Sequence, residues 1–131
     1  SSLPHIAFSR AKAAHLRLGR RGERIARRLL RTFNLDILLT NYDGPSGEID
    51  IIARDGNTLC FIEVKTRSRA VYSRPADAVG RGKKDAIKRT ARHYLRRLGD
   101  NTLAYRFDII EVIIPGRTLT HLIWHRSAFS V

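Results

Sequence analysis

The chain has 131 residues, enough for one domain around one hydrophobic core, and no apolar run approaches the roughly 18 residues that a membrane-spanning helix needs. The first residues lack the pattern of a secretory signal. Cys60 is the only cysteine, so an intrachain disulfide is excluded and a reducing cytoplasm is the expected setting. Lys and Arg number 25 against 12 acids, a formal charge of +13 with Arg dominant, which points to polyanionic partners: nucleic acid first, an anionic membrane surface second.

In chain order, roughly the first 15 residues are polar and basic and read as a loose arm. From Leu16 to Phe33 the apolar residues Leu18, Ile25, Ala26, Leu29, Leu30 and Phe33 recur at helical spacing, with arginines over the remaining surface and Asn34 as the stop. Asp36 to Asn41 reads as a strand, and Tyr42 to Gly47 as a loop dense in turn formers. Glu48 to Arg54 and Thr58 to Thr66 are β-rich and flank Asp55-Gly56-Asn57, a hairpin signal. Helical spacing returns from Pro75 to Leu98, with Gly99-Asp100-Asn101 ending it. Two strands follow, Tyr105 to Ile114 and Thr118 to His125, joined by Pro115-Gly116-Arg117. The expected fold is a single α/β domain over residues 1–131, a mixed sheet flanked by helices in the order α-β-β-β-α-β-β.

Two of these strands carry acids among apolar residues: Glu48 and Asp50 in Gly47-Glu48-Ile49-Asp50-Ile51-Ile52-Ala53, and Glu63 with Lys65 in Phe61-Ile62-Glu63-Val64-Lys65. Strand alternation puts Glu48 with Asp50 on one face and Glu63 with Lys65 on one face. A two-residue Gly56-Asn57 loop pairs Asp55 with Thr58, and counting back sets Asp50 opposite Glu63 and Glu48 opposite Lys65. A three-residue loop would break the arrangement. Two carboxylates so close repel, and either a proton or a cation must relieve them. Oxygen-only ligands favour Mg²⁺ or Mn²⁺, with the Val64 carbonyl as a further oxygen, and Lys65 beside the metal suits the charge that builds on a phosphate. A cross-strand ion pair in a half-exposed hairpin is the alternative.

The spacing Gly47-Glu48-Ile49-Asp50, twelve residues, then Glu63-Val64-Lys65 resembles the PD-(D/E)XK core of restriction-endonuclease-like nucleases, departing from it at the signature proline, where Ile49 stands. A wider pattern resembles the YraN family. It comprises Gly22-Glu23, Ala26, Leu29-Leu30, Asn41, Phe61 to Arg67, Pro75-Ala76-Asp77-Ala78-Val79, Lys83, Ala91, Tyr94-Leu95, Arg106-Phe107-Asp108 and Ala128-Phe129. That family is one of small bacterial proteins described as predicted endonucleases and similar to archaeal Holliday junction resolvases. The resemblance implies a three-layer restriction-endonuclease-like fold, a site carried by Asp50, Glu63 and Lys65, and a homodimer by analogy with the resolvases.

In the resembled nucleases an acid on the first helix reaches the metal, a role that falls here to Glu23, with a helical ion pair to Arg20, Arg24 or Arg27 as the alternative. Glu48 is expected to support the metal ligands or to pair with Lys65. Lys83 matches a position from which related nucleases point a polar residue into the site. Arg67, Arg69, Arg74, Arg81, Lys83 and Lys84 follow the catalytic strand and, with Arg20 and Arg24, are expected to contact phosphates. His121 and His125 lack metal-ligand spacing on a strand, and Asp108 and Glu111 read as salt-bridge formers. The expected function is a Mg²⁺- or Mn²⁺-dependent DNA endonuclease acting on branched or structured DNA. The alternative is a non-catalytic nucleic-acid-binding module that keeps the nuclease fold, and membrane binding stands last.

Overall fold

The computed structural model describes residues 2–69, 79–100, 102–118 and 120–130, with side chains from Ser9 onward. Helix α1 spans Ser2–Thr32, β1 Asp36–Gly44, β2 Gly47–Asp55, β3 Thr58–Arg67, α2 Arg81–Leu98, β4 Ala104–Ile113 and β5 His121–Phe129. The strands form one sheet in the order β1-β2-β3-β4-β5. Every neighbouring pair is antiparallel except β3 with β4, which α2 joins as a parallel crossover. The element order is the one expected.

Strand β3 shows how the core divides. Cys60 and Ile62 turn to one face, where they pack with Ala26, Leu30, Ile110 and Val112 beneath α1. Leu59 and Phe61 turn to the other, with Ile87, Ala91, Tyr94 and Phe107 beneath α2. Both faces being covered explains why β3 and β4 read as nearly continuous apolar runs. Cys60 is fully buried, and burial pushes its thiol up to about 11, so it acts as a small hydrophobe. Among the described residues no helix is long and apolar enough to cross a membrane.

Four boundaries differ from expectation. Helix α1 begins at Ser2 rather than near Leu16, because Ala11, Lys12, Ala13 and Ala14 are strong helix formers and nothing between them and Gly19 interrupts the backbone. It ends as expected: Asn34 takes a left-handed φ of 62°, and the Leu35 N–H closes on the Leu30 carbonyl at 3.0 Å. The expected Tyr42–Gly47 loop shrinks to Pro45-Ser46, since β1 runs to Gly44 and β2 starts at Gly47. Contacts with α2 hold this hairpin tip. Thr90 donates to the Gly47 carbonyl at 3.1 Å and Arg89 donates to Ser46 Oγ at 3.0 Å. A Cβ on Gly44 would overlap the Thr90 side chain. Helix α2 starts at Arg81; the part of the expected helix at 75–78 lies outside the described residues. Strand β5 sits further along the chain than expected because Phe129 stacks on Phe107, ring centroids 5.0 Å apart.

Asp108 makes the late part of β5 possible. Its fully buried carboxylate accepts the Ser127 N–H at 2.9 Å, Trp124 Nε1–H at 3.0 Å and Arg106 Nε–H at 3.1 Å. Ser127 has φ 50°, and the β4–β5 register shifts between Phe107 and Ile109, so the carboxylate satisfies a backbone donor that the ladder has lost.

Candidate metal centre

The Gly56-Asn57 loop has two residues and Asp55 pairs with Thr58, so the even count expected for the hairpin holds. The paired ladder runs from there to Ile51 opposite Ile62 and then stops. At the next step Asp50 turns its carboxylate onto the β3 backbone, where Oδ2 accepts the Val64 N–H at 2.8 Å. Its charge is felt at Glu63, whose carboxyl it helps to raise. The two acids therefore meet, through a splayed end of the hairpin rather than a continued ladder.

The splay has a cause in β1. Thr40 pairs with Ile51 and Tyr42 with Ile49, but Asn41 and Asp50 between them do not pair, and Asn41 is left-handed at φ 52°. Ile51 packs beneath α1 whereas Ile49 packs beneath α2, so the side-chain alternation of β2 reverses across Asp50. This overturns the expected Glu48–Lys65 partnership. Glu48 is exposed and pairs with Asp43 of β1, while the strand neighbour of Lys65 is Glu111 on β4.

Electrostatics at the pair are strained. Burial, then the charge of Asp50, pushes Glu63 up to about 8, partly opposed by Lys83 and Lys65. Asp50 is also raised, chiefly by burial, although the Val64 N–H pulls it back. Glu63 Oε1 lies 3.8 Å from Lys83 Nζ, whereas Glu63 Oε2 is buried with no hydrogen-bond partner. A buried carboxylate oxygen without a donor is unfavourable unless a proton or a cation completes it.

Helix α1 supplies another wall. A Cβ at Gly22 would overlap Thr66 Oγ1, so glycine lets the helix approach the end of β3. Glu23 follows at once, and its carboxyl is raised by burial and by the charges of Asp50 and Glu48. A cleft of about 160 Å³ lies here, lined by His15, Leu18, Gly19, Glu23, Glu63, Val64, Lys65 and Thr66. His15 was missed by sequence reasoning because its segment read as a loose arm. Among the described residues no three His, Cys, Asp or Glu side chains gather as a ready ligand set, so Asp50 and Glu63 stand as a pair with Glu23 nearby. A separate cavity of about 420 Å³ between the end of α2 and β4 is lined by Leu95, Arg96, Gly99, Asp100, Leu103 and Tyr105 and holds none of these residues.

The expected phosphate contacts divide. Lys65, Arg69, Arg81, Arg20 and Arg24 are exposed, and Lys83 points to Glu63. Arg67 does not stand free: its side chain is 15% exposed, with Nε 3.8 Å from Glu111 Oε2. Lys84 lies over the Phe129 ring at 5.8 Å, stacked on the core edge. Arg74 lies outside the described residues. Glu111 and Asp108 form salt bridges as expected, Glu111 with Arg67 and Asp108 with Arg106, and Glu111 Oε1 also hydrogen-bonds His125 Nε2 at 2.7 Å. What the sequence did not disclose is that Glu111 ties β3, β4 and β5 together beside Lys65.

The profile of the uncharacterised protein family UPF0102 matches residues 22–112. A UPF0102 protein of Chlorobaculum tepidum is 47% identical over 73% of this chain and 74% of its own length. One of Alkaliphilus metalliredigens is 42% identical over 81% of this chain and 93% of its own, and one of Solibacter usitatus 40% over 85% and 84%. The matched span holds Glu23, Asp50, Glu63 and Lys65 as well as the Gly22–Thr66 contact that sets them beside the cleft, and on this similarity the chain belongs to the UPF0102 family.

Proposed function

We propose that the protein is a divalent-metal-dependent DNA endonuclease that hydrolyses phosphodiester bonds, in branched or otherwise structured DNA. The observation that carries this reading is the half-buried Asp50–Glu63 pair, whose buried Glu63 Oε2 lacks any partner. The chemistry of this donor set fits Mg²⁺ or Mn²⁺: two carboxylates, one with an orphaned oxygen, beside an open cleft. Asp50 and Glu63 would hold the ion, with Glu23 close enough to assist through a water. When bound, such an ion polarises a phosphate oxygen and activates water.

The chain's own residues supply the rest. Val64 fixes the Asp50 carboxylate by its N–H. Lys65, exposed at the cleft, would meet the charge that grows on the phosphate during attack. Lys83 offsets the acids when the site is empty of phosphate. The resemblance to the PD-(D/E)XK nucleases, Ile49 replacing the signature proline, supports the same reading.

A second reading, a nucleic-acid-binding module without catalysis, is favoured by the absence of a third gathered carboxylate among the described residues. One experiment separates the two. Labelled junction, flap and linear DNA are incubated with Mg²⁺ or Mn²⁺. The nuclease reading expects cleavage by the native chain and none by Asp50→Ala. Intact substrates throughout, or equal cutting by Asp50→Ala, would sink it.

A further inference from the structure

Helix α1 contains nine Lys and Arg and a single acid, Glu23. Six of its arginines, Arg10, Arg17, Arg21, Arg24, Arg28 and Arg31, follow one another at steps of seven, four, three, four and three residues. At 100° per residue they fall within an arc of about 80°, and they extend over roughly 32 Å of helix. The buried positions Gly22, Ala26 and Leu30 lie on the opposite side, so the stripe faces solvent along the outer surface of the molecule. Five of the six are exposed. Arg21 is half-buried and donates to the Arg117 carbonyl at 2.9 Å, bracing the helix against the β4–β5 connection. Among the described residues none of the six lies within salt-bridge distance of a carboxylate. A row of uncompensated guanidinium groups on one helix concentrates positive potential and attracts a polyanion.

We infer that this stripe is a second nucleic-acid-binding surface, separate from the metal cleft, which takes the phosphate backbone of duplex DNA. From Arg17 onward its steps of about 4.5 and 6 Å suit a linear run of phosphates, and Arg can bind two phosphate oxygens at once. A membrane-surface helix needs a free apolar face, but from Leu18 to Leu30 that face of α1 packs on the sheet. Glu23, which marks the cleft, lies about 120° around the helix from the middle of the stripe and about 80° from its nearest edge. A duplex held in the cleft and a duplex held on the stripe therefore approach from different sides. The ligand class is shared with the proposed nuclease reading, but the stripe needs neither the metal nor catalysis. It begins before the span that the family profile matches, so it draws on residues beyond that span.

The test is binding of a short labelled duplex in EDTA across a salt series, which removes cleavage from the readout. Arg17→Gln/Arg24→Gln/Arg28→Gln should lower the slope of log K against log salt by about 0.9 per contact, roughly 2.7 in all. Arg17→Lys/Arg24→Lys/Arg28→Lys, which keeps the charge, should restore most of it. Arg92→Gln/Arg96→Gln/Arg97→Gln on α2 removes equal charge elsewhere and should change the slope by less than one such contact. The stripe substitutions should lower the slope by the same amount in a Lys65→Ala/Lys83→Ala background, as independent surfaces require. An unchanged slope, an equal loss in the α2 variant, or loss of binding to phosphatidylserine vesicles but not to duplex would overturn the inference. Non-additivity with the cleft variant would overturn the separateness of the two surfaces. A chain that cuts no DNA yet shows the stripe-dependent slope would leave this inference standing and the nuclease reading refuted.

Discussion

Gly22 on α1 and Thr66 on β3 meet so closely that a methyl group at Gly22 would occupy the place of the Thr66 hydroxyl. This contact puts Glu23 and the preceding turn of α1 over the carboxyl end of β3, where Glu63 and Lys65 lie. Gly22→Ala should therefore cost about 1–3 kcal/mol, in the range of overpacking a well-filled interior. Thr66→Ala in the same chain should recover part of that loss, which urea denaturation of the single and double variants will measure. Full additivity of the two substitutions would mean that the helix does not rest on this contact.

Glu63 makes the metal-free protein pH-sensitive. Its carboxyl is raised in the folded chain from 4.5 to about 8, so between those values the folded state binds more protons than the unfolded one. The contribution is thus fully present below about 4.5 and is lost as pH rises through 8. Asp50 and Glu23, both also raised, act in the same direction. Unfolding midpoints in EDTA should fall from pH 5 to pH 8.5 more steeply for the native chain than for Glu63→Gln. Mn²⁺ should reverse the trend, binding more tightly as pH rises because it displaces the shared proton. Parallel profiles for the two chains would contradict the assignment.

Asp50 does two things that substitution can separate. Its carboxylate accepts the Val64 N–H, and its charge raises Glu63. Asp50→Asn keeps an acceptor for Val64 while removing the charge, and should be at least as stable as the native chain at pH 8. Its Mn²⁺ affinity, measured by calorimetry, should fall by roughly tenfold or more, about 1.4 kcal/mol. Retained affinity would move the metal elsewhere.

Asp108 serves the scaffold. Three donors, from Arg106, Trp124 and Ser127, converge on a carboxylate with no exposed surface. Asp108→Ala leaves Arg106 without this partner and should destabilise by about 3–5 kcal/mol. Thermal melting checks this, and a loss below 1 kcal/mol would show that Asp55, 3.1 Å from Arg106, compensates.

Much of the sheet was legible in the sequence because its information is local. The Asp55-Gly56-Asn57-Thr58 turn sets the β2–β3 register by its own backbone chemistry. Alternating side chains then assign Leu59 and Phe61 to one face and Cys60 and Ile62 to the other. Where reading failed, a distant partner intervened. Thr90 and Arg89 of α2 turn the Pro45-Ser46 segment into a tight hairpin, and the Phe107–Phe129 stack draws β5 along the chain. Arg67 looked like a free phosphate contact until Glu111, on a strand reached through a helix, was set beside it.

The sequence by itself determined that Asp50 and Glu63 come to the same end of one hairpin in a strongly basic chain, because an even turn that pairs Asp55 with Thr58 requires nothing from afar. Only the tertiary structure decided how they meet. The left-handed Asn41 reverses the alternation at Asp50, frees its carboxylate for the Val64 N–H and moves Glu48 away from Lys65. The packing of α1 at Gly22 then brings Glu23 beside the pair and turns five of the six stripe arginines to solvent. Such long-range contacts depend on shape and burial between segments far apart in the chain, and no local pattern encodes them.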